Sequence, residues 1–243
     1  MSALLEVDGV SRSFGSVRAL LTASLTVERN SITALIGPNG SGKTTMFNVI
    51  TGYLRADAGR VRFDGHDVTG ARPAALYRRG LSRTFQQARV FGQLTVEENL
   101  VVAGGFSLAQ LFGRRVNRRD RQRAADLVEE FRLGRVADLP AAELSYGQRK
   151  LLEFAAVLMS SPTLILLDEP TAGVNPVLIE TMEHHVRRLH AAGITFLIVE
   201  HDMNFVMRLC DPVVVLDQGQ EIFTGPPDAV RENPAVLDAY LGA

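Results

Sequence analysis

The chain has 243 residues, with 26 basic against 27 acidic side chains and a net charge of −1. It is long enough to bury a substantial core, and its charge balance gives no support for a strongly basic nucleic-acid binder. A single cysteine, Cys210, rules out an internal disulfide and a cysteine-built metal cluster and favours a reducing compartment. Glu6 and Asp8 stand where a signal peptide needs an unbroken apolar core, and no run approaches the roughly 20 apolar residues of a bilayer span, so a soluble, cytoplasmic chain is expected.

Leu4-Leu5-Glu6-Val7 and Ser24-Leu25-Thr26-Val27 alternate like half-buried antiparallel strands, with Phe14-Gly15 in the bend between them. An aromatic ring there reads equally as a hydrophobic plug or as a platform for an adenine. Ile32-Thr33-Ala34-Leu35-Ile36 is an apolar, β-branched strand candidate. It leads into Gly37-Pro38-Asn39-Gly40-Ser41-Gly42-Lys43-Thr44-Thr45, which fills the G-x-x-x-x-G-K-[ST] phosphate-loop pattern. A helix opened by Thr44 and Thr45 continues through Met46 to Ile50. The glycines let the loop wrap an anion with its N–H groups inward, and the helix adds the positive end of its dipole. Lys43 supplies a compact cation for the β- and γ-phosphates, and the Thr44 hydroxyl is a hard oxygen suited to Mg²⁺. A glycine-rich turn that binds nothing is the plain alternative; the strand before it and Gly-Lys-Thr at the helix start argue against that. Val61-Arg62-Phe63 and His66-Asp67-Val68 flank Asp64-Gly65, the dipeptide that favours a tight hairpin.

From about residue 73 to 160 strands become scarce. Thr95 reads as a helix N-cap, with Glu98 as its capping-box partner. Arg114, Arg115, Arg118, Arg119, Arg121 and Arg123 form one dense basic run on a helix leading into Ala124 to Phe131. A solvated face is the ordinary reading of such a run, and a nucleic-acid or lipid-headgroup contact the alternative. Ser145 and Gly147 sit where the helix 149–159 exposes its N-terminal N–H groups, a second anion site.

Leu164-Ile165-Leu166-Leu167-Asp168-Glu169 has the form of a buried parallel strand delivering two acids to its C-terminal edge. There Asp168 can hold Mg²⁺ through water and Glu169 can polarise an attacking water. Asn175-Pro176 opens a helix over 177–189 that Gly193 ends. Thr195 to Val199 is another buried strand, and His201 follows it on the same rim as the phosphate loop and Glu169, which favours a functional histidine over a structural one. His184 and His185 are helix neighbours that do not face one another, so they make no metal pair. Val213 to Leu216 is a last core strand, Glu221-Ile222-Phe223 pairs back on it, and residues 226–241 form a helical tail.

This set, in this order, resembles the ATP-binding subunit of an ABC transporter over nearly the whole chain. Phe14 matches the adenine-stacking aromatic, residues 37–45 the phosphate loop, and Gln86 the glutamine-loop residue. Leu144-Ser145-Tyr146-Gly147-Gln148 matches the signature motif, with Tyr146 where the commonest form has glycine. Asp168 and Glu169 match the Mg²⁺-associated aspartate and the catalytic glutamate, residues 172–175 the dimer loop, with Asn175 where many relatives carry aspartate, and His201 the switch histidine. Ser82 to Gln86, Val199 to Met203 and the tail Asn233-Pro234 with Tyr240-Leu241-Gly242 are similar to branched-chain amino acid importers.

The resemblance implies an α/β phosphate-loop NTPase core with a mostly parallel sheet and an antiparallel β layer (about 1–87 and 161–225), an inserted helical subdomain (about 88–160) and a helical tail (about 226–243). It implies ATP and Mg²⁺, with Thr44, Gln86 and Asp168 about the metal and Glu169, His201, Gln86 and Lys43 in hydrolysis. Ser145, Gly147 and Gln148 would reach the γ-phosphate of a second ATPase subunit, identical or related. Permease subunits would hold the chain at the inner face of the cell membrane, and a substrate-binding protein would act through them. Urea or amide import and lipopolysaccharide-type export are the alternatives within the family. A soluble ABC protein acting on nucleic acid is a weaker alternative, because the arginine run alone favours it.

Overall fold

The computed structural model describes residues 2–84, 90–104 and 118–241. Strands β1 (Ala3–Phe14) and β2 (Val17–Glu28) run antiparallel and turn at Gly15, whose φ is +59°. Leu5, Val7, Leu25 and Val27 are buried while Asp8 and Thr26 are exposed, so the sequence alternation is the alternation of faces. Strand β3 (Ile32–Ile36) enters the phosphate loop, and helix α1 (Lys43–Ile50) leaves it one residue earlier than Thr44. Strands β4 (Ala58–Phe63) and β5 (His66–Asp67) join at Asp64-Gly65, both left-handed (φ +50° and +73°), as the tight hairpin requires. The first sheet has the order β2-β1-β4-β5.

Helix α2 (Pro73–Arg78) and the three-residue strand β6 (Leu81–Arg83) follow. Helix α3 (Val96–Ala103) starts at Thr95, whose hydroxyl accepts from the Glu98 N–H at 3.2 Å while the Glu98 carboxylate accepts from the Thr95 N–H at 2.9 Å. Helix α4 (Arg118–Glu130) carries Arg118, Arg119 and Arg121 exposed; Arg114 and Arg115 lie outside the described residues. Helix α5 (Tyr146–Val157) begins three residues before Arg149 and passes into a 3₁₀ turn, Leu158–Ser160.

Strand β7 (Leu164–Asp168), helix α6 (Pro176–Ala191), strand β8 (Thr195–Val199) and helix α7 (Met203–Leu209) come next. Strands β9 (Val213–Asp217) and β10 (Gln220–Gly225) lead to the tail helices α8 (Pro227–Glu232) and α9 (Pro234–Leu241). The second sheet has the order β10-β9-β3-β8-β7-β6, parallel except for β10.

Every residue of β3, β7 and β8 is buried. The two faces of this sheet enter different cores. Ile32, Ala34, Ile165, Leu167 and Ile198 pack with Leu127, Phe131 and Phe154 from the helices, and Leu35, Leu164, Leu166 and Leu197 pack with Leu5, Phe47 and Phe63 under the first sheet. Burial on both faces is why these strands read as unbroken apolar runs. The consequence for function is positional: β8 lies between β3 and β7, so the chain leaving β8 emerges between the phosphate loop and the two acids.

Candidate active site

The loop after β3 turns through three glycines with positive φ: +150° at Gly37, +81° at Gly40 and +105° at Gly42. A Cβ at Gly37 would overlap the Leu216 carbonyl oxygen, and one at Gly42 would stand 2.5 Å from the Ala19 carbonyl oxygen. At Gly40 nothing lies within 4 Å, so the loop is packed at its two ends and open in its middle. Asn39 and Gly40 are exposed, and Thr44 is exposed on the first turn of α1, which has no acidic residue to offset its dipole. Lys43 is buried, and its Nζ donates to the carbonyl oxygens of Gly37 and Pro38 at 2.8 Å and to the Ser41 hydroxyl at 3.4 Å. Burial lowers its pKa from the usual lysine value, and the Glu169 charge opposes that shift. Backbone donors, a helix N-terminus and an enclosed cation make a cradle for a polyphosphate.

Glu169 leaves β7 with φ +47°, a left-handed conformation that costs a non-glycine residue about 1 kcal/mol or more and marks functional loops. Its N–H donates to the Val199 carbonyl at 2.9 Å, and its Oε1 lies 3.1 Å from His201 Nε2. The side chain of His201 remains 43% exposed against 19% for Glu169, so the pair opens to solvent on the histidine side. The expected shared rim is therefore a direct contact.

Three charged residues not singled out from the sequence hold this rim from beneath. Arg83 pairs with Asp168 at 2.6 Å, with side chains only 6% and 8% exposed. Glu200 is 2% exposed and accepts N–H groups of Thr171 (2.8 Å), His201 (2.9 Å) and Asp202 (3.2 Å). Lys150, on α5, is 3% exposed; burial lowers its pKa, while the charges of Glu153, Asp168, Glu200 and Glu169 act to raise it. The available signal was a charge at a position that the strand or helix pattern buries. Arg83 closes a strand, Glu200 follows five buried residues, and Lys150 lies one helical turn from Tyr146.

The signature turn opens α5 with a complete capping box: Ser145 Oγ accepts from the Gln148 N–H at 3.3 Å, and Gln148 Oε1 accepts from the Ser145 N–H at 2.9 Å. A Cβ on Gly147 would stand 2.9 Å from a Leu178 methyl group, so glycine lets α5 seat on α6. Among the described residues no hydrogen bond or ion pair joins Ser145, Gly147 or Gln148 to residues 37–45. Asn175 N-caps α6 by accepting from the Leu178 N–H at 2.9 Å.

Phe14 is 49% exposed with the Arg12 guanidinium 5.1 Å from its ring centroid, so it is not a buried hydrophobic plug. Asp57 fixes that arginine at 2.6 Å and has a lowered pKa, first because the Ser13 N–H bonds it and then because of Arg12. His185 is buried, stacks on Phe131 with centroids 4.1 Å apart and is lowered to about 4, first by desolvation. Cys210 is buried, and desolvation pushes its thiol up to about 12, consistent with a packing role. Gln86 lies outside the described residues. No described helix is long and apolar enough to cross a membrane.

A glycine cradle on a helix N-terminus, beside acids delivered by a neighbouring parallel strand, defines a phosphate-loop nucleotide site. The chain belongs to the ATP-binding cassette family of ABC transporters: the ABC transporter family model matches residues 20–172, and the model for the branched-chain amino acid ATP-binding cassette transporter matches residues 220–243. It is 39% identical over 249 residues to the high-affinity branched-chain amino acid transport ATP-binding protein BraF of Pseudomonas aeruginosa, with 98% of each chain covered. It is also 39% identical to the probable branched-chain amino acid transport ATP-binding protein LivG of Methanocaldococcus jannaschii, over 98% of this chain and 97% of that one. A solved structure of an ABC transporter cassette in its ADP conformation superposes with a TM-score of 0.89 at 38% identity over the full length of both chains.

Proposed function

We propose that this chain is the ATP-hydrolysing subunit of a membrane transporter that imports branched-chain amino acids. The observation that carries the hydrolytic part is the Glu169 carboxylate 3.1 Å from His201 Nε2, on the rim that also bears the phosphate loop. The tail match over residues 220–243 and the names of the relatives carry the cargo.

In this reading ATP stacks its adenine on Phe14, and its phosphates lie against the N–H groups of residues 37–45 and Lys43 Nζ. Glu169 accepts a proton from the attacking water, and His201 holds Glu169 in place and contacts the γ-phosphate. The hydroxyl of Thr44 and the carboxylate of Asp168 are hard oxygen donors that fit Mg²⁺, with Gln86 as a third. That ion, when bound, neutralises phosphate charge. A second ATPase subunit presents its own Ser145, Gly147 and Gln148 to the open side of the loop. The segment 88–160 forms a helical subdomain between the core segments 1–87 and 161–225, and it transmits the opening and closing of the dimer to permease subunits at the cytoplasmic face. A substrate-binding protein delivers the amino acid to those permeases.

Glu169→Gln keeps the size of the side chain and removes the base. ATP affinity should stay within about twofold while turnover falls at least about 100-fold, the scale of a general base, and the ATP-bound dimer should accumulate on gel filtration. Wild-type turnover in this variant would remove Glu169 from its role. Deleting the gene should abolish uptake of labelled leucine, isoleucine and valine, and undiminished uptake would overturn the assigned cargo.

A further inference from the structure

One line of hydrogen bonds at the rim is not needed for local folding. It starts at Tyr146, whose Oη donates to the Ala172 carbonyl at 3.1 Å and whose ring covers Gly173. The residue before Ala172, Thr171, donates its N–H to Glu200 Oε1 at 2.8 Å. The other oxygen, Oε2, accepts from the N–H groups of His201 and Asp202 at 2.9 and 3.2 Å. The loop that begins at Glu169 is thus gripped on one side by the signature turn and on the other by the residue before His201.

Neither grip is a cap. Helix α5 starts on the Ser145–Gln148 capping box, which does not use the Tyr146 side chain. Helix α7 starts on Asp202, whose carboxylate accepts from Asn204 and Phe205 N–H groups at 2.9 and 3.2 Å without help from Glu200. A carboxylate 2% exposed is costly to bury, and here it is satisfied by three backbone donors from the two loops that carry Glu169 and His201. Tyr146 occupies the position where the commonest signature motif has glycine, and its phenol spans 26 residues of sequence to reach the Glu169 loop.

We propose that Glu200 and Tyr146 are positioning residues. Glu200 holds the Glu169 and His201 loops in register, and Tyr146 ties the signature turn to the same loop. This rests on the roles given to Glu169, His201 and the signature turn under Proposed function. Since the signature turn serves the ATP of the partner subunit, the tie makes contact at one ATP site set the catalytic pair of the other.

The test is steady-state ATP hydrolysis by the full chain, with each variant first checked by thermal melting. Glu200→Gln keeps the shape of the side chain, but its amide NH₂ faces backbone donors. It should lower kcat about tenfold with the KM for ATP within about twofold, the signature of an interaction made chiefly in the transition state. Combined with His201→Ala, it should add less than about twofold, because residues acting as a unit are not additive. Tyr146→Phe should lower kcat about threefold, the scale of one exposed hydrogen bond, and should lose most of that effect in the Glu200→Gln background. If Glu200→Gln does not fold, Glu200→Asp, which keeps the charge with a shorter reach, is compared in the same two backgrounds.

The same loss from the residue-200 substitution with and without His201, or a raised KM at unchanged kcat, would show that Glu200 supports the fold alone and overturn the inference. An undiminished Tyr146→Phe effect in the Glu200→Gln background would overturn the link to the signature turn. These results leave the Proposed function standing if His201→Ala itself is slow. A His201→Ala variant as fast as wild type removes the ground from both.

Discussion

Replacing Arg83 by methionine tests the least exposed ion pair of the described rim. The guanidinium meets Asp168 Oδ2 at 2.6 Å and also donates to Asn48 Oδ1 at 2.7 Å and Thr51 Oγ1 at 3.1 Å, with its carbon 5.4 Å from the centre of the Phe47 ring. With side chains 6% and 8% exposed, neither charge is relieved by water. Methionine fills the space along Phe47 but leaves the Asp168 carboxylate without its ion partner, and breaking one side of a buried pair costs about 3–5 kcal/mol. The charge of Lys150, which also acts on Asp168, sets the expectation at the lower end, about 3 kcal/mol. For a chain of this size each kcal/mol moves Tm by about 2–4 °C, so the melt should fall by about 6–12 °C.

Adding Asp168→Asn removes the stranded charge and should recover at least half of the loss, since exchanging both members of a buried pair is often nearly neutral. Urea unfolding without nucleotide, at unchanged m value, measures both variants independently of hydrolysis. A loss under about 1 kcal/mol for Arg83→Met, the worth of an exposed pair, would refute the argument that Asp168 depends on this arginine.

Gly37→Ala places a Cβ into the Leu216 carbonyl at a left-handed backbone position, so both stability (by about 1–3 kcal/mol) and titration of a fluorescent ATP analogue should suffer. His185, held neutral with its pKa lowered to about 4, takes up its proton in the unfolded chain first. Stability should therefore fall as pH drops from about 6.5 to about 4, by at most about 1.4 kcal/mol per unit from this group, and His185→Phe should lack that slope; parallel pH curves for the two proteins would sink the assignment. Gln148→Glu keeps an acceptor for the Ser145 N–H, so the melting temperature should hold within about 2 °C. It removes the amide donor and adds a negative charge, so the dimer trapped by Glu169→Gln should not form.

The phosphate loop was legible because its requirements are contiguous. Three glycines at left-handed positions, a lysine and a hydroxyl all fall within residues 37–45, and the strand and helix around them carry their own signals. The same holds for Asp64-Gly65 and for Thr95 with Glu98. The ends of β7 and β8 were legible as acids and a histidine leaving buried strands. Their contact was not, because Glu169 and His201 stand 32 residues apart and meet only through the pairing of β7 with β8, while the phosphate loop joins the same rim through the pairing of β8 with the distant β3. Arg83, Lys150 and Glu200 escaped for one reason: a charge in a sequence is read as solvent-facing, and only the fold shows the partner, 85 residues away for Arg83 and 29 for Glu200. Strand β6 escaped because three residues show no period, although the strand exists to deliver Arg83 to Asp168.

The capping box of the signature turn bears on how one short segment can finish a helix and still bind phosphate. A cap consumes acceptors: Ser145 Oγ receives the Gln148 N–H, and Gln148 Oε1 receives the Ser145 N–H. An anion asks for donors. The Ser145 hydroxyl proton and both amide protons of Gln148 remain after the cap is made, since a hydroxyl and a carboxamide each hold both kinds of capacity. The first-turn N–H groups of α5 add their partial positive charge, and this turn carries no acid to cancel it. The box fixes the two side chains in one rotamer before any phosphate arrives, so the entropy of ordering them is spent in folding rather than in binding. Glutamate, the commoner partner in a capping box, would hold the helix equally well and offer the phosphate only a repelling charge. Glutamine at 148 is thus a residue that satisfies the helix and the ligand at once.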